Sequence, residues 1–593
     1  MKMIDLMTHQ SRPAAEFTRI FQLNRFSICS RIAFLFTVSV FLAAFLLPLT
    51  AQKDDSRFDL LIRGGQIVDG TGNPWFFGDV AIKGDRIVEI GRNISDSAIK
   101  IIDARGLVIA PGFIDIHSHS DQLLFEDGHA QSKIRQGVTT EVVGEGFSAA
   151  PYQGKLAPRP FSVKGKIEHI ATLGQYLDAV ERAGISVNIV SYVGLNNLWQ
   201  CVMGYSFDQP TRENLEKMKV LLAEAMEDGA FGMSSQLMTP PGLLATTDQI
   251  VELCSVVREY GGIYSSHIRN EGLGVFKAVK QAIEIGERGG VPVDIIHIKI
   301  ADQKYWGRMD EVIALIDKAR QRGVNVQANV YPYTRGNNNL GSIIPPWAHE
   351  GGWGKMILRL KNKGDRERMK RDILNGVPGW YNHYTAVGGD WSRMQVSADN
   401  EYKGMTMDRV MRQRTEGKNP KPDLLDEMFD LIIEKNDSIA TIYAHHTEKD
   451  MNLVMSQPWC SIGSDGSALA TEGILRRGNP HPRNFGTFPR VLGRYVRERN
   501  LLSLEEAVRK MTSLNAAKIG LRDRGLLKEG MFADIAVFDA GEVIDQSDFT
   551  DPFHYNKGII YVIVNGELVL DHERHTGAKP GLALRFNKQN NAF

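Results

Sequence analysis

Between residues 112 and 522, short apolar runs alternate with amphipathic stretches, and this alternation restricts the fold more than any other feature of the chain. The runs are VTTEVVG (138–144), ISVNIVSYVG (185–194), GGIYSSHI (261–268), PVDIIHIKI (292–300), VNVQANVYPY (324–333) and WCSIGSDG (459–466). Between them, LEKMKVLLAEAMEDG (215–229) and MDEVIALIDKARQRG (309–323) have helical spacing and end on glycine, which accepts the left-handed conformation that closes a helix. Strands separated by helices pair in parallel. The stretch 112–522 therefore predicts an α/β fold, a (β/α)8 TIM-type barrel, with function at the carboxyl ends of its strands. Residues 353–440 interrupt the rhythm with many charges and predict an insertion over the barrel mouth.

The flanks are different. Residues 58–111 and 523–593 carry short alternating runs with turn signals, among them Gly64-Gly65, Gly84-Asp85 and Asn565-Gly566. Two β-rich ends around a long middle predict one small β-sandwich domain built from both termini. Ahead of it, Ile32 to Ala51 has no charge in twenty residues, and five basic against two acidic residues precede it, 5 − 2 = +3. Residues 1–51 are thus expected to be a signal peptide or, if uncleaved, an N-terminal anchor. The rest of the chain would then be periplasmic or secreted, touching a membrane only through that segment. Lys plus Arg equals Asp plus Glu at 70 each, so no long-range field favours nucleic acid. Cys201, Cys254 and Cys460 are too few and too scattered for a disulfide framework or a metal site.

The chemistry begins in GFIDIHSHSD (112–121). His117 and His119, two apart at the end of an apolar strand, project to one face and can chelate one metal ion. His267 ends one predicted strand, His297 lies in another, and Asp465 belongs to a further one. A parallel barrel gathers such strand ends around a single mouth. Four imidazoles with a carboxylate opposite would hold one or two Zn²⁺, with water completing the shell.

APGFIDIHSHSD, GVTTEVVGEGFSAAP, GAFGMSSQLMTPPG, GGIYSSHIRNEG, HIKIADQKYWG, NVYPYTRG, GSDG and HPRNFGTFPRVLGRYVRE, in this order over about 58–585, resemble the amidohydrolase superfamily. More closely, they resemble its D-aminoacylase branch, the N-acyl-D-amino-acid deacylases. The resemblance implies metal on His117, His119, His267 and His297. Glu145 stands where the family's bridging Cys is expected, one residue having been lost from the segment. Asp465 matches the aspartate that takes a proton from the attacking water and returns it to the departing amine. Lys299, Tyr331 or Tyr333, and Arg483 match residues that hold the substrate α-carboxylate, a sensible clamp given bidentate arginine geometry.

Three segments depart from the family pattern: VGLNNLW (193–199) lacks its usual His and Arg, Asn329 replaces a frequent Asp, and Thr239 a usual Tyr. The expected activity is zinc-dependent hydrolysis of N-acyl-D-amino acids, with a small-molecule N-acyl amino acid as the partner. The alternatives are a dipeptidase acting on D-residues or a cyclic amidase of the hydantoinase or dihydroorotase type, and, least favoured, a non-catalytic binding relative. The cyclic amidases usually need a carboxylated lysine, and GAFGMSSQL offers none.

Overall fold

The computed structural model describes residues 58–95 and 97–586; the apolar segment 32–51 lies outside them. Among the described residues, no helix is long and apolar enough to cross a membrane.

Parallel pairing dominates the middle of the chain. Phe113–Asp115, Val138–Val143 and Asn188–Ser191 form one three-stranded sheet. Val193–Gly194, Gly232–Gln236, Ile263–His267, Val293–Ile295, Val326–Val330 and Cys460–Ile462 form a six-stranded one. The chain passes from the first sheet to the second at Tyr192, and an isolated parallel bridge joins Ser118 to Gly466 just beyond the two outer strands. Every residue of Val138–Val143 is buried, as expected for a strand covered on both faces. The intervening helices begin where side chains satisfy free amides: Thr172 with Gln175 and Thr246 with Gln249 form capping boxes, and Thr211 caps Arg212–Glu227. The two glycines expected to stop helices, Gly229 and Gly323, both have positive φ.

The strands from the two flanks meet and hydrogen-bond into one nine-stranded sheet. The link is Val108–Pro111, which runs parallel to Phe58–Ile67 and antiparallel to Ile535–Phe538. Period-two alternation explains why both faces of this sheet are apolar. Ile535, Val537, Tyr561 and Ile563 pack with Leu60, Ile62 and Ile109, whereas Ala536, Phe538, Val562 and Val564 face the large core of the central region.

The interruption near 353–440 is a larger unit than its charge pattern indicated. Gly336–Asn339, Ala440–Tyr443 and Met394–Val396 form an antiparallel sheet, over a separate core that includes Leu340, Met369, Met411, Phe429 and Tyr443. This unit touches the loops that follow the parallel strands: the Tyr381 hydroxyl donates to the Ala301 carbonyl at 3.0 Å.

Candidate metal centre

The strands end slightly earlier than their apolar runs, and the chemistry sits on the first residues beyond them. His117 and His119 follow Phe113–Asp115, and Asp465 follows Cys460–Ile462. Main-chain bonds from Asp465 N–H to the His117 carbonyl (2.8 Å) and from His119 N–H to the Gly466 carbonyl (2.9 Å) lock these two segments together. His297, expected inside a strand, lies two residues past Val293–Ile295 with φ of 38°, and Asp465 has φ of 51°. Left-handed conformations in non-glycine residues are costly and concentrate at functional sites.

Glu145 is turned inward by its neighbours. Gly144 and Gly146 both have positive φ, and a Cβ on Gly146 would lie 2.4 Å from Cβ of Gln236. Only glycine permits that approach. The Glu145 carboxylate then reaches in two directions: Oε2 lies 2.8 Å from His117 Nε2 and 3.3 Å from His119 Nε2, and Oε1 lies 2.5 Å from His267 Nδ1. Asp465 Oδ1 is 3.0 Å from His119 Nε2, and the rings of His267 and His297 are 4.4 Å apart. Two donor groups result, His117–His119–Glu145–Asp465 and Glu145–His267–His297, with Glu145 common to both.

The two carboxylates of the cluster are held ionised, as ligation requires. Burial opposes the charge on Glu145, but His117 and His267 override it and hold the carboxyl well below its ordinary range. For Asp465, burial is likewise overridden, chiefly by Arg483 and His117. Burial, with the neighbouring Lys299 ammonium, pushes His297 down to about 4, leaving the neutral imidazole that a metal requires. The buried Nε2 of His267 has no hydrogen-bond partner. Imidazole nitrogen with carboxylate oxygen is the donor set of zinc sites, so these residues fit such an ion.

A buried network that sequence reasoning missed supports the cluster. Lys133 is fully buried and donates to Asp115 Oδ2 (2.7 Å), Ser464 Oγ (2.9 Å), Ser118 Oγ (3.2 Å) and the Gly466 carbonyl (3.2 Å). Asp115 Oδ1 accepts from the main-chain N–H of Ser464 at 2.8 Å, and Glu141 accepts from Ser118 and Ser120. The segments bearing His117, His119 and Asp465 are therefore tied to one ammonium.

The expected carboxylate clamp is placed only in part. Arg483 Nη1 is 2.7 Å from Asp465 Oδ2, and its guanidinium carbon lies 4.9 Å from the Tyr331 ring centre. Lys299 Nζ lies 5.7 Å from the same ring centre, and the buried Tyr331 hydroxyl has no partner. Tyr333 is directed elsewhere: its hydroxyl approaches Asp545 Oδ2 at 3.4 Å, and Arg490 covers its ring. Lys299 is engaged by Glu271 Oε1 at 2.5 Å and by His297 Nδ1 at 2.8 Å. Glu271 stands four residues after His267 in GGIYSSHIRNEG; that helix-like spacing was its only signal.

One of these departures, Asn329, acquires a physical reason. Asn329 accepts from the His297 main-chain N–H at 2.9 Å and donates to Asp294 Oδ2 at 2.7 Å, a dual role that a carboxylate beside Asp294 cannot fill. In VGLNNLW, Asn197 is buried and accepts from Ser148 N–H at 2.7 Å, anchoring the loop that follows Glu145.

Imidazoles and carboxylates gathered beyond the ends of parallel strands define a class, the amidohydrolases, which hydrolyse C–N bonds. The amidohydrolase family description matches residues 421–570. A D-aminoacylase of Alcaligenes xylosoxydans xylosoxydans is 35% identical over 539 residues, covering 90% of this chain and 99% of the relative. An N-acyl-D-aspartate deacylase of the same organism is 33% identical, covering 90% and 96%. The crystal structure of N-acyl-D-glutamate deacylase from Bordetella bronchiseptica, complexed with zinc and a phosphonate inhibitor, matches with TM-score 0.73 at 30% identity, over 89% of this chain and 100% of that one. The chain belongs to the D-aminoacylase family.

Proposed function

We propose that this protein removes the acyl group from N-acyl-D-amino acids, with zinc held by His117, His119, Glu145, His267 and His297. The observation that carries the reading is the sharing of Glu145 between two donor groups, in a chain similar along its length to deacylases of D-amino acids. We read the parallel strands as a closed (β/α)8 barrel, an arrangement supported by the bridge from Ser118 to Gly466. The unit 336–443 forms one wall of its mouth, and residues 1–51 direct export.

A bound divalent ion supplies Lewis acidity, polarising the scissile carbonyl and making water more acidic. Asp465, kept ionised by Arg483, takes the proton of the attacking water and returns it to the departing nitrogen. Arg483 and the unpartnered Tyr331 hydroxyl, with Lys299 beside them, hold the substrate α-carboxylate. Tyr333 takes no part in this clamp. Glu271 fixes Lys299 and, at 3.0 Å from His297 Nδ1, the orientation of that imidazole.

The test is amine release by zinc-loaded residues 52–593 from matched N-acetyl-D- and N-acetyl-L-amino acids. Selective turnover of the D-series is expected. Equal rates on both isomers would remove the D-preference, and silence on both with metal bound would move the reading to a D-residue dipeptide or a cyclic amide.

A further inference from the structure

A cavity of about 890 Å³ lies where the unit 336–443 meets the central region. One side is the helix Val275–Gly289, which turns Lys277, Lys280, Gln281 and Glu284 towards it, at spacings that share one helix face. The other side is the loop 375–380, with Val377, Pro378 and Trp380. No metal donor lines the cavity, and neither do Lys299, Tyr331 and Arg483. Asn270 and Asp302, which do, stand one residue before Glu271 and three after Lys299, so the cavity backs on the metal centre. A main-chain bond from Ala301 N–H to the Glu271 carbonyl, 2.7 Å long, ties these two segments into a wall.

The charges in the lining do not cancel. Lys277 and Lys280 have no hydrogen-bond or ion-pair partner among the described residues. Arg269 is bonded only to neutral acceptors, the carbonyls of Leu243 and Ala245 and Gln281 Oε1. Against these three cations stand two carboxylates. Glu284 is taken by Arg288 at 2.7 Å, and Asp302 accepts from the Lys304 main-chain N–H at 2.9 Å. Two features of the helix add to the excess. Lys277 and Lys280, three residues apart, repel each other, and Lys277 stands in the first turn, where the helix dipole favours an anion. An anion between the two ammoniums relieves both penalties. The remaining surface is apolar: Leu273 is 48% exposed, beside Trp380, Val377 and Pro378.

We propose that this cavity is a second ligand site, one that takes an organic carboxylate with an apolar body. The carboxylate pairs with Lys277 and Lys280, and the body lies against Trp380, Val377 and Pro378. The volume is that of a small-molecule site, and an apolar lining with a few convergent charges is the usual character of such sites. Binding involves no turnover, so the site stands apart from the deacylase reading.

The test is calorimetric titration of the zinc-loaded protein at pH 7 with decanoate, with decanol, which lacks the charge, and with acetate, which lacks the body. Decanoate should bind roughly 10-fold or more tightly than either. Lys277→Gln/Lys280→Gln changes two exposed helix positions to another good helix former, so the variant keeps its fold. It should remove the advantage of decanoate over decanol, and Trp380→Ala should weaken decanoate and decanol together. Absence of decanoate binding, or equal binding of decanoate and decanol in the wild type, would overturn the proposal. So would an advantage that survives in the double lysine variant, since the carboxylate would then be held at the metal centre by Arg483. Decanoate binding untouched by Trp380→Ala would overturn it as well, by placing the apolar body elsewhere.

Discussion

Asp465 and His119 meet at 3.0 Å, and the consequences of that contact are separable by experiment. Asp465→Asn removes the proton acceptor while preserving shape, so kcat should fall by ~10²–10⁴. Unimpaired turnover would remove Asp465 from the proton path. In the protein stripped of metal, desolvation works against the charged imidazole of His119, but the hydrogen bonds to Asp465 and Glu145 outweigh it and push His119 up to about 10. A raised histidine contributes stability that is complete below pH 6.5 and disappears as the pH rises through about 10. Melting temperature measured in chelator should therefore decline across that interval, and His119→Gln should flatten the slope. A flat wild-type profile would contradict the assignment.

At the scale of elements, the outer strands Phe113–Asp115 and Cys460–Ile462 share no ladder, and Lys133 stitches the segments beyond them. Lys133→Met leaves Asp115 and Glu141 as buried charges without their cation, at a cost of ~3–5 kcal/mol. Urea unfolding measures this, and a loss below ~1 kcal/mol would mean that other groups neutralise the pair. This contrast also explains what was legible in sequence. His117 and His119 declared themselves by spacing, and Glu145 only through the family resemblance, at the place of its bridging Cys. Lys133 and Glu271 did not, because a buried ion reads as any surface charge until its partners from distant segments are known. The strand Gly336–Asn339, sequence GNNN, reads as a turn, and it becomes a strand only through pairing with Ala440–Tyr443. The run 292–300 alternates convincingly, yet His297 leaves the strand for a left-handed conformation that no hydropathy pattern encodes.

For the whole molecule, the nine-stranded sheet joins both ends of the chain, and its alternating face belongs to the large central core. A protein ending after residue 530 loses the antiparallel partner of Val108–Pro111 and uncovers Val108 and Ala110. It should be insoluble or fail to melt cooperatively; a soluble, cooperative product would show that the central region folds without the sheet. The same joining bears on synthesis. Phe58–Ile67 is made early, but the sheet that holds it stays unfinished until residues 559–575 have left the ribosome. A product cut short by a premature stop lacks the strands that complete this sheet, so the last part of the chain to be made finishes what the first began.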